Sequence, residues 1–296
     1  MKIAIQCDLH VELLGAQRAF SYLKNNGFDT VSYTFRVRYD QPFTTEWGED
    51  ELKQAYLPIG QAARDNGVRL LYTVIGTPCE LYNSALPDTF EARKKMLYQA
   101  IRATEILGAE YICLVPPVMV TDPVHAYERS KDIFYQLADF CQEQLKGRNL
   151  KLAFLNNRFY RGGYTYGCSA EDMIQILDRY QAKLVYDPCR EVTAGQREGD
   201  MLQKAGDRVL AMVMSNSSTA NAVPTFPFLG SMDQIDYKNL KKQMRTFSDK
   251  VYCVCPTSDI YNQYSYLMNE ELLTSLDNLM LEMAKEFTGH SAERGE

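Results

Sequence analysis

The chain has 296 residues, of which 46% are hydrophobic and 24% charged, with a formal net charge of −6. A chain of this length buries roughly 75% of its unfolded surface, so a core forms without disulfide or metal staples. The acidic balance argues against a broad nucleic-acid footprint, which needs clustered Lys and Arg, and no apolar run approaches the roughly 18 residues that suggest a membrane span.

Short apolar runs rich in β-branched residues alternate with longer segments of helical period, the pattern of parallel β/α architecture. Strand one is Lys2–Gln6, and the helix after it carries Phe20 and Leu23 and stops at Gly27. Strand two, Thr30–Phe35, leads through an acidic loop containing Trp47 into a helix over Glu49–Asn66 that Gly67 closes. Strand three is Arg69–Ile75, followed by a helix from Thr89 to Gly108. Strand four, Tyr111–Val115, breaks at Pro116-Pro117, and its helix runs from Asp122 to Lys146. Strand five is Lys151–Leu155; a Gly- and Tyr-rich loop then leads to the helix Ser169–Tyr180, where Ser169 and Asp172 have the spacing of a capping box. Strand six is Lys183–Tyr186, with a helical turn at Asp200–Ala205. Strand seven is Val209–Met214 with a helix over Asp236–Phe247, and strand eight is Val251–Val254 with a helix over Glu270–Phe287.

Eight such units fit one closed barrel, so the expected fold is α/β, a single (β/α)8 TIM barrel over residues 1–287 with a frayed tail at 288–296. A doubly wound sheet would carry a phosphate-binding glycine loop after the first strand. Here that strand ends in Cys7-Asp8-Leu9-His10. The basic stretches Arg93-Lys94-Lys95 and Lys238–Lys242 lie in helices and read as solvated faces. The eight cysteines include no CxxC pair, and Cys253 and Cys255 share one side of a strand. The segment MKIAIQCDLHVELLG lacks the apolar stretch of a signal peptide, which points to a reduced cytoplasm.

Several phrases fall in the order found in the xylose-isomerase-like TIM-barrel superfamily. "RATEILGAEYICLVPP" resembles that family's "A..LGA.YIVVHPG", "LKLAFLNN" its "LALEN", "AKLVYDPCR" its "GLLLDPGH", and "LGSMDQIDYKNL" its "LGEGEIDFKAL". The resemblance implies sugar isomerase or epimerase activity at the C-terminal barrel mouth. It also implies a divalent metal held by Glu, Asp, His and Glu on strands five to eight, with the metal polarising the substrate and carboxylates moving protons. This sequence departs from that pattern. Asn156 stands at the strand-five Glu, Asp187 keeps the strand-six Asp, and Arg190 replaces a His three residues later. Met212, Val213, Met214 or Ser215 fills the strand-seven His, and Cys255 or Pro256 the strand-eight Glu. The expectation is therefore a mouth without metal and without cofactor.

Counting along strand ends, the mouth collects Asp8, His10, Tyr33, Arg36, Thr77, Asn156, Asn157, Arg158, Asp187, Arg190, Ser215, Asn216, Cys255 and Thr257. Asp187 and His10 are the candidate catalytic pair; Asn156, Arg190, Tyr33, Arg36, Asn216 and Arg158 are candidate substrate ligands. Such a set hydrogen-bonds a polyol or carboxylate. Arg190 either neutralises Asp187 at the cation's usual seat or points to solvent. Tyr160, Tyr164, Tyr166, Tyr261, Tyr264 and Tyr266 form either a ligand wall or a subunit contact, and the Trp47 loop a lid or a contact. Two functions stay open: a metal-independent enzyme acting on a sugar-like small molecule, and a non-catalytic descendant binding such a ligand or a protein. A homodimer fits either.

Overall fold

The computed structural model describes residues 1–36, 47–76, 88–117, 124–157, 166–217, 224–225, 235–246, 250–257, 261 and 268–289. Within them, eight parallel strands close into a barrel: β1 (Lys2–Gln6), β2 (Thr30–Arg36), β3 (Arg69–Gly76), β4 (Tyr111–Leu114), β5 (Lys151–Leu155), β6 (Lys183–Tyr186), β7 (Val209–Val213) and β8 (Tyr252–Cys255). Ile5 on β1 lies opposite Cys255 on one side and Val31 on the other, so the sheet has no free edge. The helices are α1 (Asp8–Leu14), α2 (Ala16–Asn25), α3 (Glu49–Asp65), α4 (Asp88–Leu107), α5 (Ala126–Leu145), α6 (Ala170–Tyr180), α7 (Pro188–Thr193), α8 (Asp200–Ala205), α9 (Tyr237–Met244) and α10 (Glu270–Thr288). This is a single (β/α)8 barrel, as the strand spacing predicts.

Three local features differ from the sequence expectation. The helix after β1 is split, because Gly15 sits at φ +74°, a left-handed conformation that breaks α1 from α2 and suits a residue without Cβ. Helix α7 was not expected. The Asp187 carboxylate caps it by accepting from the Cys189 N–H at 3.0 Å, and Pro188 occupies its first position, where no N–H is needed. Finally, Arg93 is not on a solvated face: it is 3% exposed, on the inner side of α4 with buried Met96 and Leu97. At α6 the expected cap forms, with Ser169 Oγ accepting from Asp172 N at 3.1 Å, but the Asp172 carboxylate accepts from Gly167 N and the Tyr127 hydroxyl.

Strand alternation sorts the core into two layers. Ala4, Val74, Cys113, Ala153, Leu155, Val185, Ala211, Val213 and Val254 form one buried apolar cluster, the filling of the barrel lumen. The intervening residues, among them Ile5, Ile112, Phe154, Leu184, Met212, Cys253 and Cys255, pack outward against the helices. Both thiols of the C-x-C on β8 thus share one side, and it is the helix side. Cys255 Sγ lies 3.8 Å from the Met280 carbonyl of α10, and burial pushes its thiol up.

Candidate site at the C-terminal barrel mouth

The site is built where β5, β6 and β7 end. Asp187, the first residue beyond β6, is 3% exposed and its carboxylate is heavily engaged. Oδ1 accepts from Cys189 N and from the Ser215 hydroxyl at 2.7 Å, while Oδ2 accepts from Arg190 Nε at 3.2 Å. Ser215 follows β7, and its own carbonyl is held by the Tyr237 hydroxyl at 2.6 Å. Arg190 lies one turn along α7, which brings its guanidinium back over Asp187, and its Nη1 reaches the Asn156 carbonyl at 3.4 Å. The side chain is 19% exposed, so the alternative of a solvent-pointing Arg190 is resolved in favour of the ion pair.

Asn156 joins two strand ends. Its Nδ2 donates to the Asp187 carbonyl at 2.9 Å and its Oδ1 accepts from Asp187 N at 2.7 Å, so the carboxamide continues the β5–β6 ladder. Asn157 donates to the carbonyls of Pro116 and Tyr166 at 3.0 and 3.1 Å and ties the end of β4 to the residues before α6. On β1 and β2, Gln6 Nε2 donates to Thr34 Oγ1 at 2.7 Å, and the Thr257 hydroxyl beyond β8 donates to the Gln6 carbonyl. Gln6 and Thr34 take lumen-facing places by alternation and were not among the sequence candidates. A polar residue on the inward register of an otherwise apolar strand was the signal available.

His10 is placed elsewhere. It lies in α1, fully buried, with Nε2 2.8 Å from Asp277 Oδ2 on α10. The Asp277 carboxylate also accepts from the hydroxyls of Tyr22 and Tyr261, both at 2.9 Å. Nδ1 of His10 has no hydrogen-bond partner among the described residues. This cluster joins α1, α2 and α10, so the catalytic candidates Asp187 and His10 are committed to separate partners and do not hydrogen-bond to each other. Tyr33 turns outward, its ring edge-on to Phe35 and to Tyr56 of α3. Tyr166 is buried behind the mouth, its hydroxyl 2.5 Å from that of Tyr135. Asn216 is buried and pairs with Thr225 in a short antiparallel ladder after β7. Trp47 is half-buried against the helix-side core. Arg158, Thr77, Tyr160, Tyr164, Tyr264, Tyr266, the side chain of Arg36 and the tail from 290 lie outside the described residues.

Glu191, on the next position of α7, was also missed. It is fully buried, accepts from the Tyr186 hydroxyl at 2.5 Å and from Gly199 N and Met201 N at 2.8 Å, and so fastens α7 to α8. Burial raises its carboxyl above the ordinary range, while these three donors act in the other direction.

Residues 20–271 match the family described as the xylose isomerase-like TIM barrel. The chain belongs to that family. No curated protein matches the sequence. Among solved structures, a D-psicose 3-epimerase from Clostridium cellulolyticum H10 superposes with a TM-score of 0.67 at 13% identity, covering 97% of this chain and 99% of the other. An L-ribulose 3-epimerase gives 0.60 at 14% identity with both chains fully covered. A xylose isomerase domain protein from Salmonella typhimurium LT2 gives 0.63 at 13%, over 96% and 97%. At these identities the likeness is one of fold.

Membership permits a test of the metal that the resemblance implies. Ligands from strand ends must lie on the lumen-facing register, and that register carries Leu155 on β5 and then Asn157 beyond it, Asp187 after β6, Val213 on β7 and then Ser215 beyond it, and Val254 on β8. Leu155, Val213 and Val254 are hydrocarbon, Asn157 is bonded to the carbonyls of Pro116 and Tyr166, Ser215 donates to Asp187, and the one carboxylate is paired with a guanidinium. These side chains do not fit a divalent cation, which wants several oxygen or imidazole donors. Among the described residues no group of three or more His, Cys, Asp or Glu side chains converges on one point. On β5 and β8 it is Leu155 and Val254 that face the lumen, while Cys255 packs on the helix side and Asn156 turns to the β6 backbone. Among the described residues no helix is long and apolar enough to cross a membrane.

Proposed function

We propose that this barrel binds a carbohydrate or polyol-type small molecule at its C-terminal mouth, and that metal-dependent isomerase or epimerase chemistry is no longer carried there. One observation bears most of the weight: the Asp187 carboxylate already accepts from Cys189 N, Ser215 Oγ and Arg190 Nε. A general base needs a free lone pair facing the substrate proton. Asp187 instead acts as the fixed point that orients Arg190 and Ser215. The mouth then offers hydroxyl, amide and guanidinium groups above an apolar floor, the mix that suits a molecule with C–H faces and hydroxyl edges.

The second reading, a metal-independent isomerase or epimerase with Asp187 as base and His10 as its partner, draws support from the unpartnered Nδ1 of His10, held in one tautomer by Asp277. It requires a rearrangement that exposes a fully buried ring.

The test is a thermal-shift and calorimetric panel of ketohexoses, pentuloses and alditols, each with Mn2+ and with EDTA, alongside elemental analysis and NMR detection of interconverted sugars. The expected result is stabilisation by one or more of these compounds, equal in Mn2+ and EDTA, without turnover. Stoichiometric metal, or binding that EDTA abolishes, would overturn the proposal. Turnover in EDTA would establish the second reading.

A further inference from the structure

The guanidinium of Arg190 is only partly used. Nε is spent on Asp187 Oδ2 at 3.2 Å and Nη1 on the Asn156 carbonyl at 3.4 Å, which leaves Nη2 without a partner among the described residues. The side chain is neither buried nor free: at 19% exposure it is held by two strand ends. The guanidinium thus sits on the lumen-register carboxylate of Asp187, with one N–H edge unused among the described residues.

We propose that this edge selects an acidic ligand, and that the natural ligand of the mouth is a sugar acid, an aldonate or uronate, whose carboxylate sits on Arg190 Nη2. The inference rests on the reading of the mouth as a sugar-like site and adds the charge of the ligand to it. Arginine presents planar N–H donors that match carboxylate oxygens, and its fixed charge makes such contacts stronger than neutral ones. Because Asp187 already offsets part of that charge, the edge suits a monoanion. A phosphate dianion would call for a second cation beside Arg190. The hydroxylated remainder of the ligand would extend over Leu155, Val213 and Val254 toward Gln6 and Thr34.

Calorimetry on the full-length protein with matched pairs decides the matter: D-gluconate against D-glucitol, D-galactonate against galactitol, D-xylonate against xylitol, with gluconamide and D-glucose 6-phosphate as further probes. At least one aldonate is expected to bind ten-fold or more tighter than its alditol, about 1.4 kcal/mol. The advantage should shrink as salt rises and be absent for gluconamide, which keeps the shape but not the charge. Arg190→Met should bring acid and alditol to equal affinity, while wild-type protein with gluconamide provides the same comparison with no change to the fold. If alditols or the phosphate ester bind as tightly as the acids, the inference falls and the polyol site stands. If neither series binds, both fall.

Discussion

Replacing Asp187 by Ala and by Asn separates an anchoring carboxylate from a chemical one. In Asp187→Ala three interactions disappear together. The cap on α7 is lost, about 1 kcal/mol. The Ser215 hydroxyl, on a residue 1% exposed, loses its acceptor, at about 1–3 kcal/mol for a buried group left unpaired. The ion pair to the partly exposed Arg190 adds about 1 kcal/mol or less. The sum is about 2–5 kcal/mol. Asp187→Asn retains an oxygen for Cys189 N and Ser215 Oγ, and Asn caps helices as well as Asp, so only the ion pair is lost and the cost is about 1 kcal/mol. Urea unfolding of the three proteins at pH 7, followed by far-UV circular dichroism, reads both differences. If the two variants lose equal stability, charge rather than hydrogen-bond geometry dominates at this residue; if Asp187→Ala costs under 1 kcal/mol, the anchoring argument is wrong.

Three further outcomes follow from the same structure. Asp277→Ala removes the acceptor shared by His10, Tyr22 and Tyr261 and is expected to cost about 3–5 kcal/mol in urea unfolding, whereas Tyr22→Phe, on a half-buried donor, should cost under about 1 kcal/mol. Gly60→Ala places a Cβ 2.6 Å from the Leu107 carbonyl and 2.9 Å from that of Ile106, so α3 must move off the end of α4; a loss of about 1–3 kcal/mol is expected despite the better helix propensity of Ala, and a stabilised variant would show that the contact is not close. Because burial raises the Glu191 carboxyl in the folded chain, the fold binds that proton more tightly than the unfolded chain does. Its contribution to stability therefore falls as pH rises from the ordinary carboxylate range through the raised folded value. Glu191→Gln should flatten that part of the pH–stability curve, as urea midpoints between pH 4 and about 8 would reveal; an unchanged slope would remove Glu191 as its cause.

The strands and most helices could be read in the sequence because they depend on local signals: apolar runs of β-branched residues, glycine stops after helices, and Ser169 or Asp236 ahead of a helical period. The α7 helix was not read from the sequence, although Asp187 followed by Pro188, a cap and a first-turn proline, was the signal for it. Register was harder. A shift of one residue along a strand exchanges the lumen for the helix layer, and "LKLAFLNN" does not itself say whether Leu155 or Asn156 faces inward. Closing the barrel decided this, since Leu155 joins the cluster with Val213 and Val254 and Asn156 turns to the β6 backbone.

What the sequence by itself determined is the order of the β/α units and the chemical stock of the mouth: few titratable groups, an aspartate, an arginine three residues later, and amides and hydroxyls around them. Only the tertiary structure decided which of these meet. His10 reads as a mouth residue because it directly follows the first strand, yet its partner is Asp277, 267 positions away. The barrel closes β8 onto β1 and so lays α10 beside α1, where an imidazole and a carboxylate removed from water must pair with each other. Arg190 and Asp187 are the converse case. Their spacing of three is plain in the chain, but the value of the pair depends on burial, which arises only when three strand ends converge around it.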